Sequence, residues 1–105
     1  MSTSRIEAFR AMLAKDSSNV LARFGLANEL IKSAEFETAR AELEEYVTAS
    51  DDEGAAYRLL ARAYEGLGRR DDAIDAYRRG IDAATRHNHP SMVAEFEMKI
   101  EDLEG

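Results

Sequence analysis

Apolar residues recur every three or four positions through most of the 105-residue chain, and this spacing predicts amphipathic helices. Residues 20–32 and 36–47 both follow it, and a short polar stretch separates them. No segment alternates apolar and polar residues for long enough to indicate a strand. The pattern therefore predicts an all-α fold with six helices, at about residues 4–15, 18–33, 35–49, 52–67, 70–87 and 90–104.

Turn and capping residues mark the ends of several of these helices. Residues 4–7 and 50–53 have the Ser-x-x-Glu spacing of a capping box, which predicts helix starts at both places. Gly68 is well placed for a left-handed residue just beyond a helix end. Pro90 suits the first turn of the last helix, because a first-turn residue needs no backbone N–H.

The chain repeats itself with a period of 34 residues and no gaps. Under a shift of one period Leu26 falls on Leu60 and Leu43 on Tyr77. Small residues recur where the two helices of each unit would cross: Ala27, Ala39, Ala61 and Ala73. Small side chains let two backbones approach closely, and one helix pair cannot bury its apolar face alone. The period therefore predicts stacked helix pairs.

A 34-residue helix–turn–helix period resembles the tetratricopeptide repeat family. The residues that carry the resemblance are Tyr57-x2-Leu60-Ala61-x2-Tyr64, followed by Gly68, Ala73 and Tyr77. The resemblance covers about residues 4–85 and implies a short right-handed α-solenoid of antiparallel helix pairs, with about 2.5 units in one domain over 1–105. Residues 4–16 would be the second half of a partial unit, 20–53 and 54–87 complete units, and 90–104 a capping helix.

The sequence departs from the family pattern at several places. Arg23 stands where the first complete unit should have its large aromatic residue, and Arg70 stands one period after Phe36. The usual proline between units is replaced by Ser17, Asp51 and Thr85. These departures weaken the individual repeats and leave the period intact.

The charge balance narrows the range of partners. The formal net charge is −7, with a pI near 4.8, so long-range repulsion disfavours nucleic acid and anionic membrane surfaces. The chain has no cysteine, which excludes disulfides and thiolate metal sites. Its first residues do not place an apolar stretch after a basic one, as a secretory signal would. We expect a cytoplasmic protein.

No constellation of residues indicates catalysis, a cofactor or a metal, so we do not expect an enzyme. Glycine-rich phosphate loops and hydrolase motifs are absent from the sequence. The only histidines, His87 and His89, lie beside a proline at a helix end, with no third ligand nearby in sequence. They are interpreted as polar loop residues, and the acids at 51–53 as capping residues rather than a cation site.

The resemblance implies that the first helix of each unit lines a concave groove. Its inward side would carry Leu21 together with the candidate partner-binding residues, which are Phe24, Asn28, Ile31, Lys32, Arg58, Arg62 and Glu65. Arg58 and Arg62 are four residues apart, so they project from one helix face. They favour a partner that carries an acidic group beside a large apolar residue. Two alternatives stay open: the arginines pair with nearby acids, and Phe24 belongs to the core.

The sequence thus predicts a protein–protein interaction module, an adaptor or assembly factor that binds a peptide or partner helix. Some family members hold the C-terminal carboxylate of heat-shock chaperones, but only Asn28 matches that set, so we reject this ligand. The alternative function is a structural homo-oligomer that self-associates through the exposed edge of helix 4–15.

The last helix is predicted to cover the apolar edge left by helix 70–87. Its apolar stripe consists of Val93, Phe96, Ile100 and Leu103. Its acidic residues are predicted to face water, Glu95 among them, because terminal repeats need a polar outer face.

Overall fold

The computed structural model describes the backbone of residues 2–105 and the side chains of residues 4–105. Six helices make up the fold in that part of the chain, in agreement with the predicted number and all-α class. They are α1 (Ser2–Lys15), α2 (Val20–Lys32), α3 (Phe36–Ala49), α4 (Ala55–Gly66), α5 (Arg70–Arg86) and α6 (Pro90–Glu104).

Both predicted capping boxes are wrong. Helix α1 begins at Ser2, ahead of the predicted box. Helix α4 begins at Ala55, three residues later than predicted, because the acidic segment before it is not helical and Gly54 has φ 132°. The buried carboxylate of Asp52 accepts hydrogen bonds from the backbone N–H groups of Gly54 and Ala56, at 2.8 and 2.9 Å. One side chain therefore satisfies two donors at this helix start.

The turns within the two complete helix pairs have the same backbone shape. Gly68 has φ 72°, as predicted, and Ala34 has φ 59° one period earlier. After each of these residues a backbone N–H returns to the helix, from Glu35 to Leu30 and from Arg69 to Tyr64. Pro90 stands at the start of α6, which confirms its predicted role. The left-handed residue reverses the chain so that the second helix folds back on the first.

The helices stack as pairs into a helical repeat solenoid. Helices α2 and α3 form the first pair, α4 and α5 form the second, and α1 and α6 pack at the two ends. One core cluster runs through the middle and includes Leu43, Leu60 and Tyr77, while a smaller cluster around Leu26 and Leu30 packs under α1. The crossing residues predicted from the period are all buried: Ala27, Ala39, Ala61 and Ala73.

Helix α6 covers the far side of the second pair. Phe96 is fully buried, and its ring centroid lies 5.5 Å from that of Tyr77. Ile100 and Leu103 are partly buried against the same cluster. No helix within residues 2–105 is both long and apolar enough to cross a membrane.

Candidate interaction surface

The predicted groove residues lie on α2 and α4, which pack against each other. Two of them, Phe24 and Ile31, are half-buried and contact the central core cluster. The ring of Phe24 meets that of Tyr46 edge-on, with centroids 5.7 Å apart. These two side chains therefore support the fold from the groove side and offer only part of their surface to a partner.

The two polar groove candidates on α2, Asn28 and Lys32, are exposed. Asn28 donates one side-chain amide hydrogen bond to the backbone carbonyl of Phe24, at 3.1 Å. The ammonium of Lys32 lies 3.6 Å from the buried carboxylate of Glu29. Both side chains end at the surface, where a partner can reach them.

Arg58 binds Glu95, a residue that the sequence predicted to face water. Its Nε and Nη2 donate to the two carboxylate oxygens of Glu95 on α6, both at 2.6 Å. The guanidinium also lies 5.5 Å from the ring centroid of Phe96. This two-point hydrogen bond lowers the pKa of Glu95, so the carboxylate stays ionised at neutral pH. The prediction that Glu95 simply faces water is wrong, because its carboxylate is bound by Arg58 of α4.

The other basic residue of the predicted pair has a different environment. Arg62 is exposed and makes no ion pair with any side chain from residue 4 onward. Glu65, one turn later, accepts a hydrogen bond from the hydroxyl of Tyr77 at 2.9 Å. Burial, reinforced by that carboxylate, raises the pKa of Tyr77 well above its ordinary value, so the phenol remains a donor. Among the basic residues predicted for the groove, Arg62 is therefore the one that forms no ion pair within the described residues.

Leu21 is the most exposed large apolar residue of the same helix face. It is 84% exposed at the start of α2, next to Val20 at 45%. The sequence placed Leu21 on the inward side, and its exposure could not be read from the apolar pattern alone. The surface therefore combines apolar side chains on α2 with the guanidinium of Arg62 on α4.

The histidine loop meets the acidic turn before α4. His87 lies 3.1 Å from a carboxylate oxygen of Asp51, and His89 lies 3.3 Å from Glu53. The hydrogen bonds from His87 and Arg86 lower the pKa of Asp51. These contacts link the loop after α3 to the loop after α5, away from the groove residues.

Comparison with known proteins identifies the class to which this fold belongs. The family model of the tetratricopeptide repeat matches residues 1–84. The chain belongs to the tetratricopeptide repeat family, whose domains generally act as protein–protein interaction modules.

Individual relatives agree with this assignment. The TPR repeat-containing protein PA0015 of Pseudomonas aeruginosa is 33% identical over 95 residues, which cover 90% of this chain and 89% of the relative. The solution structure of protein BPP2914 from Bordetella parapertussis superimposes with a TM-score of 0.80 at 26% identity, over 94% of this chain and 86% of that one.

A more distant structure shares the fold alone. The MamA fragment from residue 41 to its end, from Desulfovibrio magneticus RS-1, superimposes with a TM-score of 0.68 at 22% identity. The match covers 98% of this chain and 66% of that chain. The family and the fold are therefore established.

Proposed function

We propose that this protein is a cytoplasmic adaptor or assembly factor that acts by binding rather than by catalysis. Its ligand would be an extended or helical segment of another protein, bound along the concave surface of α2 and α4. The observation that supports this proposal best is the environment of Arg62, an exposed guanidinium with no acidic partner in the described part of a chain of net charge −7. A local reversal of charge sign attracts an acidic group.

The proposed contacts follow from the groove residues and their present partners. Arg62 holds a carboxylate of the ligand in a two-point hydrogen bond, and Asn28 occupies the equivalent position one period earlier. Leu21, Phe24 and Ile31 offer apolar surface to a large side chain beside that acid. Lys32 adds a second positive charge to the proposed site. The carboxylate of Glu65, beside Tyr77, would repel an acidic group of the ligand.

Arg58 takes a supporting role in this proposal. Its guanidinium is already bound to Glu95, and a ligand acid would have to displace that carboxylate. Exchange of one carboxylate for another gives little net gain. The bound Arg58 instead holds α6 against α4 and so fixes one wall of the groove.

The test is a peptide array in which Asp or Glu stands beside Phe, Leu or Met, followed by titration of the tightest binder. Arg62→Glu should weaken that binding by roughly 2 kcal/mol or more, and Arg62→Lys should recover only part, because lysine cannot make the two-point bond. Arg70→Glu is the matched control, since Arg70 is an exposed arginine on α5 outside the groove. Full-strength binding by a folded Arg62→Glu protein would place the site elsewhere.

The proposed location has its own measurement. A tagged protein should fractionate with the cytoplasm rather than with membranes or secreted material. Recovery in a membrane or secreted fraction would contradict this part of the proposal.

A further inference from the structure

The two ends of the solenoid expose faces that are buried elsewhere in the same chain. On α6, Ala94 and Met98 are exposed, Met98 to 69%. One period earlier, Leu60 and Tyr64 on α4 occupy the same positions and are buried by the helix pair. Helix α6 therefore has the register of a first helix whose second-helix partner is missing from this fold.

Helix α1 shows the complementary situation. It packs on α2 through Ile6, Phe9 and Leu13. Its opposite face exposes small apolar residues and Met12, which is 48% exposed. One period later, Tyr46 on α3 packs against Phe24 of its first helix. Helix α1 thus has the register of a second helix and exposes the side that would meet a first helix.

The two end helices carry opposite net charge. Helix α1 contains three basic residues and one acid, whereas α6 contains five carboxylates and one lysine. Lys15 on α1 makes no ion pair with the residues described, and the same holds for Glu101 and Asp102 on α6. The end helices therefore match the two halves of one repeat in register and differ in the sign of their net charge.

We propose that a second copy of this chain docks end to end, so that α6 of one copy pairs with α1 of the next. In the antiparallel arrangement of the complete pairs, where Tyr46 meets Phe24, Ala94 would pack near Ala8 of the second copy. Met12 would lie toward the start of α6 and Met98 toward the start of α1, and the net positive α1 would face the net negative α6. This contact joins two different surfaces, so it can propagate into a longer solenoid. It uses neither Arg62 nor Leu21 and is independent of the proposed peptide site.

Sedimentation velocity over a concentration series tests the contact. The wild-type chain should show a mass that grows with concentration beyond a dimer, and the growth should weaken in high salt because the charges are exposed. Met12→Glu and Met98→Glu should each weaken self-association by at least about tenfold, since each places a carboxylate on the apolar surface of the contact. A wild-type chain that stays monomeric at near-millimolar concentration overturns the proposal.

Mixing the two variants separates this contact from a symmetric one. Met12→Glu keeps an intact α6 face and Met98→Glu keeps an intact α1 face, so an equimolar mixture should form a dimer that cannot grow. Were α1 to pair with α1, Met98→Glu alone would still dimerise and the mixture would show nothing new, which contradicts the proposal.

Ala41→Glu controls for the added charge. Ala41 is an exposed residue of α3, outside both end faces, and this variant should associate like the wild type. Equal weakening by Ala41→Glu would show that net charge, rather than the paired faces, governs association. Circular dichroism of every variant should match the wild type.

Discussion

Each of the two complete helix pairs contains a contact between an arginine and a tyrosine ring, but the two residue types stand on opposite helices. In the first pair Arg23 on α2 lies 5.8 Å from the ring centroid of Tyr46 on α3. In the second pair the aromatic ring is Tyr57 on α4 and the cation is Arg79 on α5, 5.3 Å from its centroid. The missing aromatic at position 23 is therefore not a defect, because the second helix of that pair supplies the ring instead.

The exchange also explains why a glycine stands in the second pair at the position that holds Tyr46 in the first pair. One period after Tyr46 stands Gly80, and a Cβ there would lie 2.7 Å from the ring of Phe96 and 3.0 Å from Cβ of Tyr57. The space that Tyr46 fills in the first pair is taken in the second by Tyr57 and Phe96. Repeats that differ in sequence can thus keep the same packing when the compensating change falls on the partner helix.

The largest effect should come from removing Phe96, which packs on the second pair. Phe96→Ala should lower the free energy of unfolding by about 3–5 kcal/mol, because a fully buried ring leaves a cavity. Phe24→Ala in the first pair should cost only about 1–2 kcal/mol, since that ring is half-buried. Urea denaturation of both variants measures the difference, and equal losses would mean that the two pairs depend equally on their aromatic residues.

A smaller effect should follow from exchanging the turn residues of the two pairs. Ala34→Gly should raise the free energy of unfolding by about 0.5–1 kcal/mol, because an alanine at φ 59° is strained and a glycine is not. Gly68→Ala should lower it by a similar amount through strain alone, since a Cβ at Gly68 meets no atom within 4 Å. Thermal melts that shift in the same direction for both variants would refute the shared turn geometry.

The smallest effect concerns the ion pair between Arg58 of the second pair and Glu95 of α6. The folded state lowers the pKa of Glu95, so this pair stabilises the fold at neutral pH and the contribution is lost as pH falls through the lowered pKa. Because Arg58 and Glu95 are both partly exposed, Glu95→Gln should cost less than about 1 kcal/mol at pH 7, and the difference from wild type should shrink in acid.

The matched control for this measurement is Glu97→Gln, which changes an exposed acid of the same helix that makes no ion pair with residues 4–105. Its unfolding curve should follow that of the wild type at every pH. A Glu95→Gln difference that grows in acid would contradict the assigned role of the pair.

Several features of the fold depend only on local spacing and can be predicted from the sequence. The number of helices, the 34-residue period, the left-handed Gly68 and the small crossing residues all follow from residues close together in the chain. Helix periodicity and turn chemistry act over a few residues, so one sequence is enough to predict them.

Contacts between residues far apart in the chain could not be predicted in this way, because they depend on how the helices pack. The pairing of Arg58 with Glu95 spans 37 residues and depends on α6 docking beside α4. The aromatic exchange between Tyr46 and Tyr57 likewise depends on which helix face is already filled. The apolar spacing is the same whether the aromatic ring stands on the first or the second helix of a pair. It predicts which residues are buried, but not which residues they pack against.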